Sequence, residues 1–290
     1  MTLETALPAA CAAVAAAVSA RWNWWRPTAQ GLPVLMYHKI GEPPPSSRLK
    51  KLWVSAPDFR WQMEYLLRHG FTPVLFSDLK AAAPFASGDR PRSEDGGPLA
   101  ASGGKPLPEN PVLVTFDDGY ADNCARAFPV LQELKVKANV FLVFETLGRH
   151  NAWHAPSAEP WQRMLDLGQI ERMQESGLVE FGSHTMTHKN LAAIPLEEVR
   201  WELRESKKRL EEALRRPVTA FAYPYGAGAF KPEVRAAVLE AGYLHDFSVR
   251  QGIAPRAWEP GLGPLPRLLI RGDDNRFDFH LNLTRGKSRF

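Results

Sequence analysis

The chain has 290 residues, 44% of them hydrophobic and 23% charged, which suits one medium-sized domain with a large buried core. Its net charge of +4, without a basic helix or interleaved aromatic repeat, points to anionic surfaces or glycolipids and away from nucleic acid. Cys11 and Cys124 form no disulfide framework, and neither a Gly-x-Ser-x-Gly elbow nor a glycine-rich phosphate loop occurs.

Taken in chain order, Leu7 to Ala20 is Ala-rich and ends in Val-Ser-Ala like a cleavage site, yet Glu4 stands before it and no Lys or Arg does. These apolar residues are fewer than the roughly 20 a bilayer span needs. Arg21-Trp-Asn-Trp-Trp-Arg26 joins indoles to cations, as segments at a membrane interface do. Residues 1–30 therefore read as a membrane-associating tail. The expected location is the cytoplasm at the inner membrane surface, with a periplasmic or secreted location left open.

Apolar, β-branched runs predict strands over Val34 to Tyr37, Val112 to Phe116, Ala138 to Phe144, Val179 to Gly182, Thr219 to Tyr223, Asp246 to Val249 and Arg267 to Ile270. Helical spacing predicts helices over Pro57 to His69, Leu196 to Arg216 and Pro232 to Ala241. On the second of these, Val199, Leu203 and Leu210 share a face, and Glu205/Arg209, Glu211/Arg215 and Glu212/Arg216 pair as a solvated charge run. Residues 84–110 lack apolar periodicity and read as a mobile insertion, expected away from the mouth because they enter the next strand from its far end. Seven strands with crossover helices predict an α/β barrel over residues 31–275, followed by a tail over 276–290.

The chemistry concentrates at two strand ends. Thr115-Phe116-Asp117-Asp118-Gly119 closes one, and His184-Thr-Met-Thr-His188 follows another. Two imidazoles and one carboxylate are a common catalytic zinc set, and consecutive side chains at a strand end diverge. Asp118 can thus bind a metal while Asp117 faces the reacting water. A second pair, His150 and His154, has the same spacing but lies in a polar, Pro-flanked stretch and reads as a decoy.

These motifs, together with Phe221-Ala-Tyr-Pro-Tyr-Gly226, resemble three motifs of the polysaccharide deacetylase family, also called the NodB homology or carbohydrate esterase family 4 domain. The resemblance runs from about Leu32 to Asp274 and is nearest to the poly-N-acetylglucosamine deacetylase branch, where Leu35-Met-Tyr-His-Lys-Ile40 is also typical. It implies an irregular (β/α)7 barrel and hydrolysis of N-acetyl groups on an amino sugar in a surface polysaccharide or glycolipid. Asp117 is then the base; Asp118, His184 and His188 hold a divalent metal, most simply Zn2+; and the backbone N–H of Tyr225 assists the oxyanion. Two positions depart from the family. Ala222 stands where an arginine usually orients the base, and Arg267 lies near the place of the final histidine acid. The expectation is that Arg267 positions Asp117 and that His38 serves as acid or substrate contact. Tyr223 and Tyr225 are expected against the sugar, ahead of Trp153 and Trp161, in a monomer that binds an N-acetylated amino-sugar polymer or glycolipid. Two other readings stay open: a carbohydrate-binding pseudoenzyme, and a deacylase or deformylase of a lipid-linked sugar.

Overall fold

The computed structural model describes residues 11–12, 14–16, 19, 21–81, 107–255 and 263–289. Much of Leu7 to Ala20, and the insertion expected over 84–110 as far as residue 106, lie outside them. In chain order the elements are β1 (Val34–Tyr37), β2 (Lys39–Ile40), β3 (Trp53–Val54), α1 (Ala56–Arg68), β4 (Thr72–Val74), α2 (Phe76–Ala81) and β5 (Pro111–Phe116). Then come α3 (Phe128–Leu134), β6 (Ala138–Leu142), α4 (Leu167–Glu175), β7 (Val179–Ser183), α5 (Leu196–Leu214), β8 (Ala220–Ala222), α6 (Pro232–Glu240), β9 (His245–Gln251), β10 (Leu265–Leu269) and α7 (Arg276–Arg285).

Seven parallel strands close on themselves in the order β1, β5, β6, β7, β8, β9, β10, with β10 returning to β1. This is the expected (β/α)7 barrel, and its irregularity has a local origin. Strand β5 pairs with β1 along one edge, while its other edge is divided: Pro111 to Leu113 face β4, and Thr115 and Phe116 face β6. The fully buried Asn139 bridges that division. Its side-chain amide donates to the Val74 carbonyl at 3.1 Å, and its oxygen accepts from the Phe76 N–H at 2.9 Å, so backbone groups that no strand reaches are still satisfied.

Strand alternation sorts the core into two parts. Val34, Leu113, Phe141, Ala220, Ala222, Phe247 and Leu265 point into the barrel with Phe76, while Leu35, Val112, Val114, Val140, Phe221 and Leu268 point outward beneath the helices. The inward parity decides which site residues reach the axis.

Two expectations need correction. The segment 276–290 is not a tail: Asn275 and Asp278 form a reciprocal cap, and α7 buries Phe279, Leu281 and Leu283 against the barrel. Strand β4 was missed because Thr72-Pro-Val74 is too short to show an alternation. Among the described residues no helix is long and apolar enough to cross a membrane.

Candidate active site

On β5 the residues 113, 115 and 117 share the inward parity, so Asp117 continues the barrel interior past the strand's end. Its N–H donates to the Tyr37 carbonyl at 2.9 Å, fixing the backbone to β1. There it meets Arg267, which points inward from β10 and is completely buried. The guanidinium donates to both Asp117 oxygens at 2.6 and 2.8 Å, donates through Nε to the Ser248 carbonyl at 2.9 Å, and lies 5.5 Å from the Phe141 ring centroid. Burial pushes the Asp117 carboxyl up, but Arg267, with His184 and His38, outweighs it and holds the pKa below the usual carboxylate value. The inward-facing methyl of Ala222 is on β8, two strands from Arg267, so the cation reaches the base from a different strand than the family pattern places it.

After Asp117 the chain turns sharply. Asp118 has φ 74° and Gly119 φ 82°, and a Cβ on Gly119 would come within 2.8 Å of Leu142 Cδ2. This turn carries the Asp118 carboxylate away from the axis and toward the histidines: its Oδ1 lies 3.4 Å from His184 Nε2 and 3.2 Å from His188 Nε2. The three groups are buried, and their ligand atoms lie within 4.8 Å of one another. His184 Nδ1 is 2.7 Å from the Ala222 carbonyl, which can only accept, so the proton sits on Nδ1 and Nε2 offers its lone pair. His188 Nδ1 is 3.1 Å from the Tyr225 hydroxyl. Burial, opposed by Asp118, lowers the His188 pKa; burial pushes Asp118 up, but the two facing histidines outweigh it and hold Asp118 well below the usual carboxylate range. One carboxylate and two imidazoles whose Nε2 atoms face it are the donor set a divalent cation requires, so these residues fit a metal.

Backbone strain converges on the same place. Among the described residues six non-glycine positions have positive φ, and Lys135 and Arg215 are helix caps; the other four, Asp118, Thr185, His188 and Tyr225, all belong to the site. The His184–His188 loop is held from below by Glu202, fully buried on α5. Its carboxylate accepts from the Met186 and Thr187 N–H groups at 2.9 and 3.0 Å and from the Thr187 hydroxyl. Reading this helix's charges as a solvated run missed Glu202. The available signal was its phase, three positions after Val199 and beside Leu203 on the apolar face.

His38 lies one residue beyond β1 with inward parity, and its Nδ1 is buried without a hydrogen-bond partner. Burial lowers its pKa, with Asp117 and Asp118 opposing, so the imidazole is neutral near pH 7. Aromatic rings wall the mouth: Trp153 stacks on His188 with centroids 4.2 Å apart, and the buried Tyr120 ring lies 6.3 Å from Trp153. The loop carrying Trp153 is tied to residues 47–49 by Glu159, which accepts from the Ser47 hydroxyl at 2.6 Å and the Arg48 N–H at 2.8 Å.

The expected residues therefore sort as follows. Asp117, Asp118, His184, His188, His38, Arg267 and Tyr225 meet at one mouth. Tyr223 does not: it is completely buried, and its hydroxyl donates to Asp246 at 2.9 Å, so it braces β8 and β9 and cannot face a sugar. His150 forms a bridge with Arg163 and stacks on Trp161, consistent with a decoy, but its neighbour Trp153 enters the site that the polar context seemed to exclude.

Residues 104–245 match the polysaccharide deacetylase family. The matched stretch, just under half of the chain, contains Asp117, Asp118, His184, His188 and Tyr225. It is 27% identical over 239 residues to YxkH of Bacillus subtilis, covering 82% of this chain and 71% of that protein. It is 25% identical over 283 residues to the poly-β-1,6-N-acetyl-D-glucosamine N-deacetylase of Escherichia coli, covering 86% of this chain but only 38% of that enzyme's length. The solved structure of IcaB from Ammonifex degensii superposes with a TM-score of 0.64 at 27% identity, over 84% of this chain and 94% of that one. The family that this stretch matches is one of hydrolases acting on N-acetyl amide bonds.

Proposed function

We propose that the protein is a metal-dependent N-deacetylase of an N-acetylglucosamine-containing polymer or glycolipid, with Asp117 as general base. The observation that carries this reading is the division of labour between adjacent carboxylates: Asp118 lies against two imidazoles, while both oxygens of Asp117 are held by the Arg267 fork. The substrate class is taken from the Escherichia coli relative.

Asp118, His184 and His188 would hold a divalent cation, most simply zinc, which would supply Lewis acidity toward water and the acyl carbonyl. Asp117, ionised and held by Arg267, accepts the proton of the attacking water as the C–O bond forms. The backbone N–H of Tyr225 donates to the developing oxyanion. As the C–N bond breaks, the proton passes from Asp117 to the departing amine, and acetate is left. Because burial keeps His38 neutral, it serves better as a substrate contact than as the acid that protonates the amine. Trp153, stacked on His188, presents an apolar edge for a sugar ring.

The test is amine release from N-acetylglucosamine oligomers by zinc-loaded protein and its Asp117→Asn variant, with bound zinc quantified in both. Release by the wild type, its loss in the variant and equal zinc content support the assignment. Stoichiometric zinc without release from monosaccharide, oligomer or lipid-linked sugar would favour a carbohydrate-binding protein.

A further inference from the structure

The tryptophans of the N-terminal segment have different fates. Trp22 is packed: its indole N–H donates to Asp278 at 2.9 Å, and its ring meets Phe277 edge-on at 5.6 Å. Trp24 and Trp25 stay 45% and 56% exposed, and Phe277 and Val14 are 42% and 63% exposed. Trp24, Val14, Phe277 and Leu281 line an apolar groove of about 710 Å3 against α7. Arg285 completes its wall. One Arg285 nitrogen donates to the Arg26 carbonyl, while its Nε is buried without a hydrogen-bond partner. Arg21 and Arg26, which flank Trp24 and Trp25 in the chain, are exposed, whereas the neighbouring Asp278 is committed to Trp22 and Arg289.

We propose that this face seats on an anionic phospholipid bilayer, with Trp24, Trp25, Val14 and Phe277 entering the interface and a lipid phosphate meeting Arg285. Exposed indoles flanked by arginines suit the headgroup boundary, where each cation near an anionic surface adds about 1 kcal/mol. Seating in the interface also needs no spanning helix. Charge complementarity favours lipid over a second copy of the chain, because an isologous dimer would bring the same arginines face to face.

The experiment is sedimentation of the full chain with vesicles of phosphatidylcholine alone or with about one third phosphatidylglycerol. Binding to the anionic vesicles is expected at least about tenfold tighter than to the neutral ones and weakened by salt. Trp24→Ser/Trp25→Ser should weaken it by about tenfold or more, while Trp201→Ser, which removes an exposed tryptophan on α5, should not. Melting temperatures check that both variants fold, and deacetylation of a soluble oligomer should be unchanged in both, which separates this proposal from the assignment of the active site. Equal binding to both vesicles, or wild-type binding by the Trp24/Trp25 variant, would overturn it. So would self-association through this face without vesicle binding, or displacement from vesicles by millimolar inorganic phosphate at constant ionic strength, which would mark a free-phosphate site.

Discussion

Arg267 and Asp117 are joined by two parallel hydrogen bonds of 2.6 and 2.8 Å although 150 positions separate them in the chain; Arg267 is completely buried and Asp117 keeps only a sliver of exposure. A planar fork fixes both the position and the rotation of the carboxylate, which a single point charge cannot do. Arg267→Lys keeps the charge and loses the fork. The acid limb of its kcat/KM profile should move to higher pH, because Asp117 loses part of what holds its pKa down; an unmoved limb would remove the positioning role. Arg267→Met should destabilise the fold by roughly 3–5 kcal/mol in chemical denaturation, since it strands a buried carboxylate.

Metal removal should be visible without turnover. Zinc at 1,000 times its Kd should stabilise the protein by about 4 kcal/mol, and a chelator should reverse the gain. Asp118→Asn should melt at the same temperature with and without zinc.

Tyr225→Phe removes the hydroxyl beside His188 Nδ1 and leaves the backbone N–H in place. Zinc affinity, measured against a competing chelating dye, should fall about 10–100-fold. At saturating zinc kcat should remain close to wild type, which separates the hydroxyl's role from the backbone's.

Glu202→Ala leaves two buried N–H groups and one hydroxyl without their acceptor. At about 1–3 kcal/mol for each unsatisfied group, stability should fall by several kcal/mol. Amide exchange at Met186 and Thr187 should accelerate more than exchange in β6, showing that the histidine loop loosens first.

Stability should fall on acidification through a group remote from the metal cluster. Burial lowers His245, on β9, to a pKa of about 4, against about 6.5 in an unfolded chain. The unfolded state therefore binds the proton first, so stability present above pH 6.5 is lost as pH falls toward 4, by on the order of 3 kcal/mol. Denaturation of wild type and His245→Gln across this range should give a shallower slope for the variant.

The barrel and the clustering of Asp118 with His184 and His188 were legible in the sequence because both depend on local pattern. Short apolar runs rich in β-branched residues, such as Pro111–Phe116, read as buried strands, and a motif at a strand's end inherits the strand's parity, which is why Asp117 and Asp118 could be assigned different faces from their order alone. The pairing of Arg267 with Asp117 was expected from a missing arginine at 222, but only closure of β10 onto β1 and β5 brings the two together. Glu202, Trp153 and the true place of Tyr223 were decided by packing. Glu202 looks like one more surface charge until α5 docks and turns it under the histidine loop. Trp153 sits in an irregular loop whose path is set by Glu159 and not by any periodicity. Tyr223 shares a motif with Tyr225, yet the two rings separate because the chain turns through a left-handed residue at 225. Sequence thus fixes what a side chain can do and, within an element, where it points; which distant partner it meets depends on how the elements close around one core.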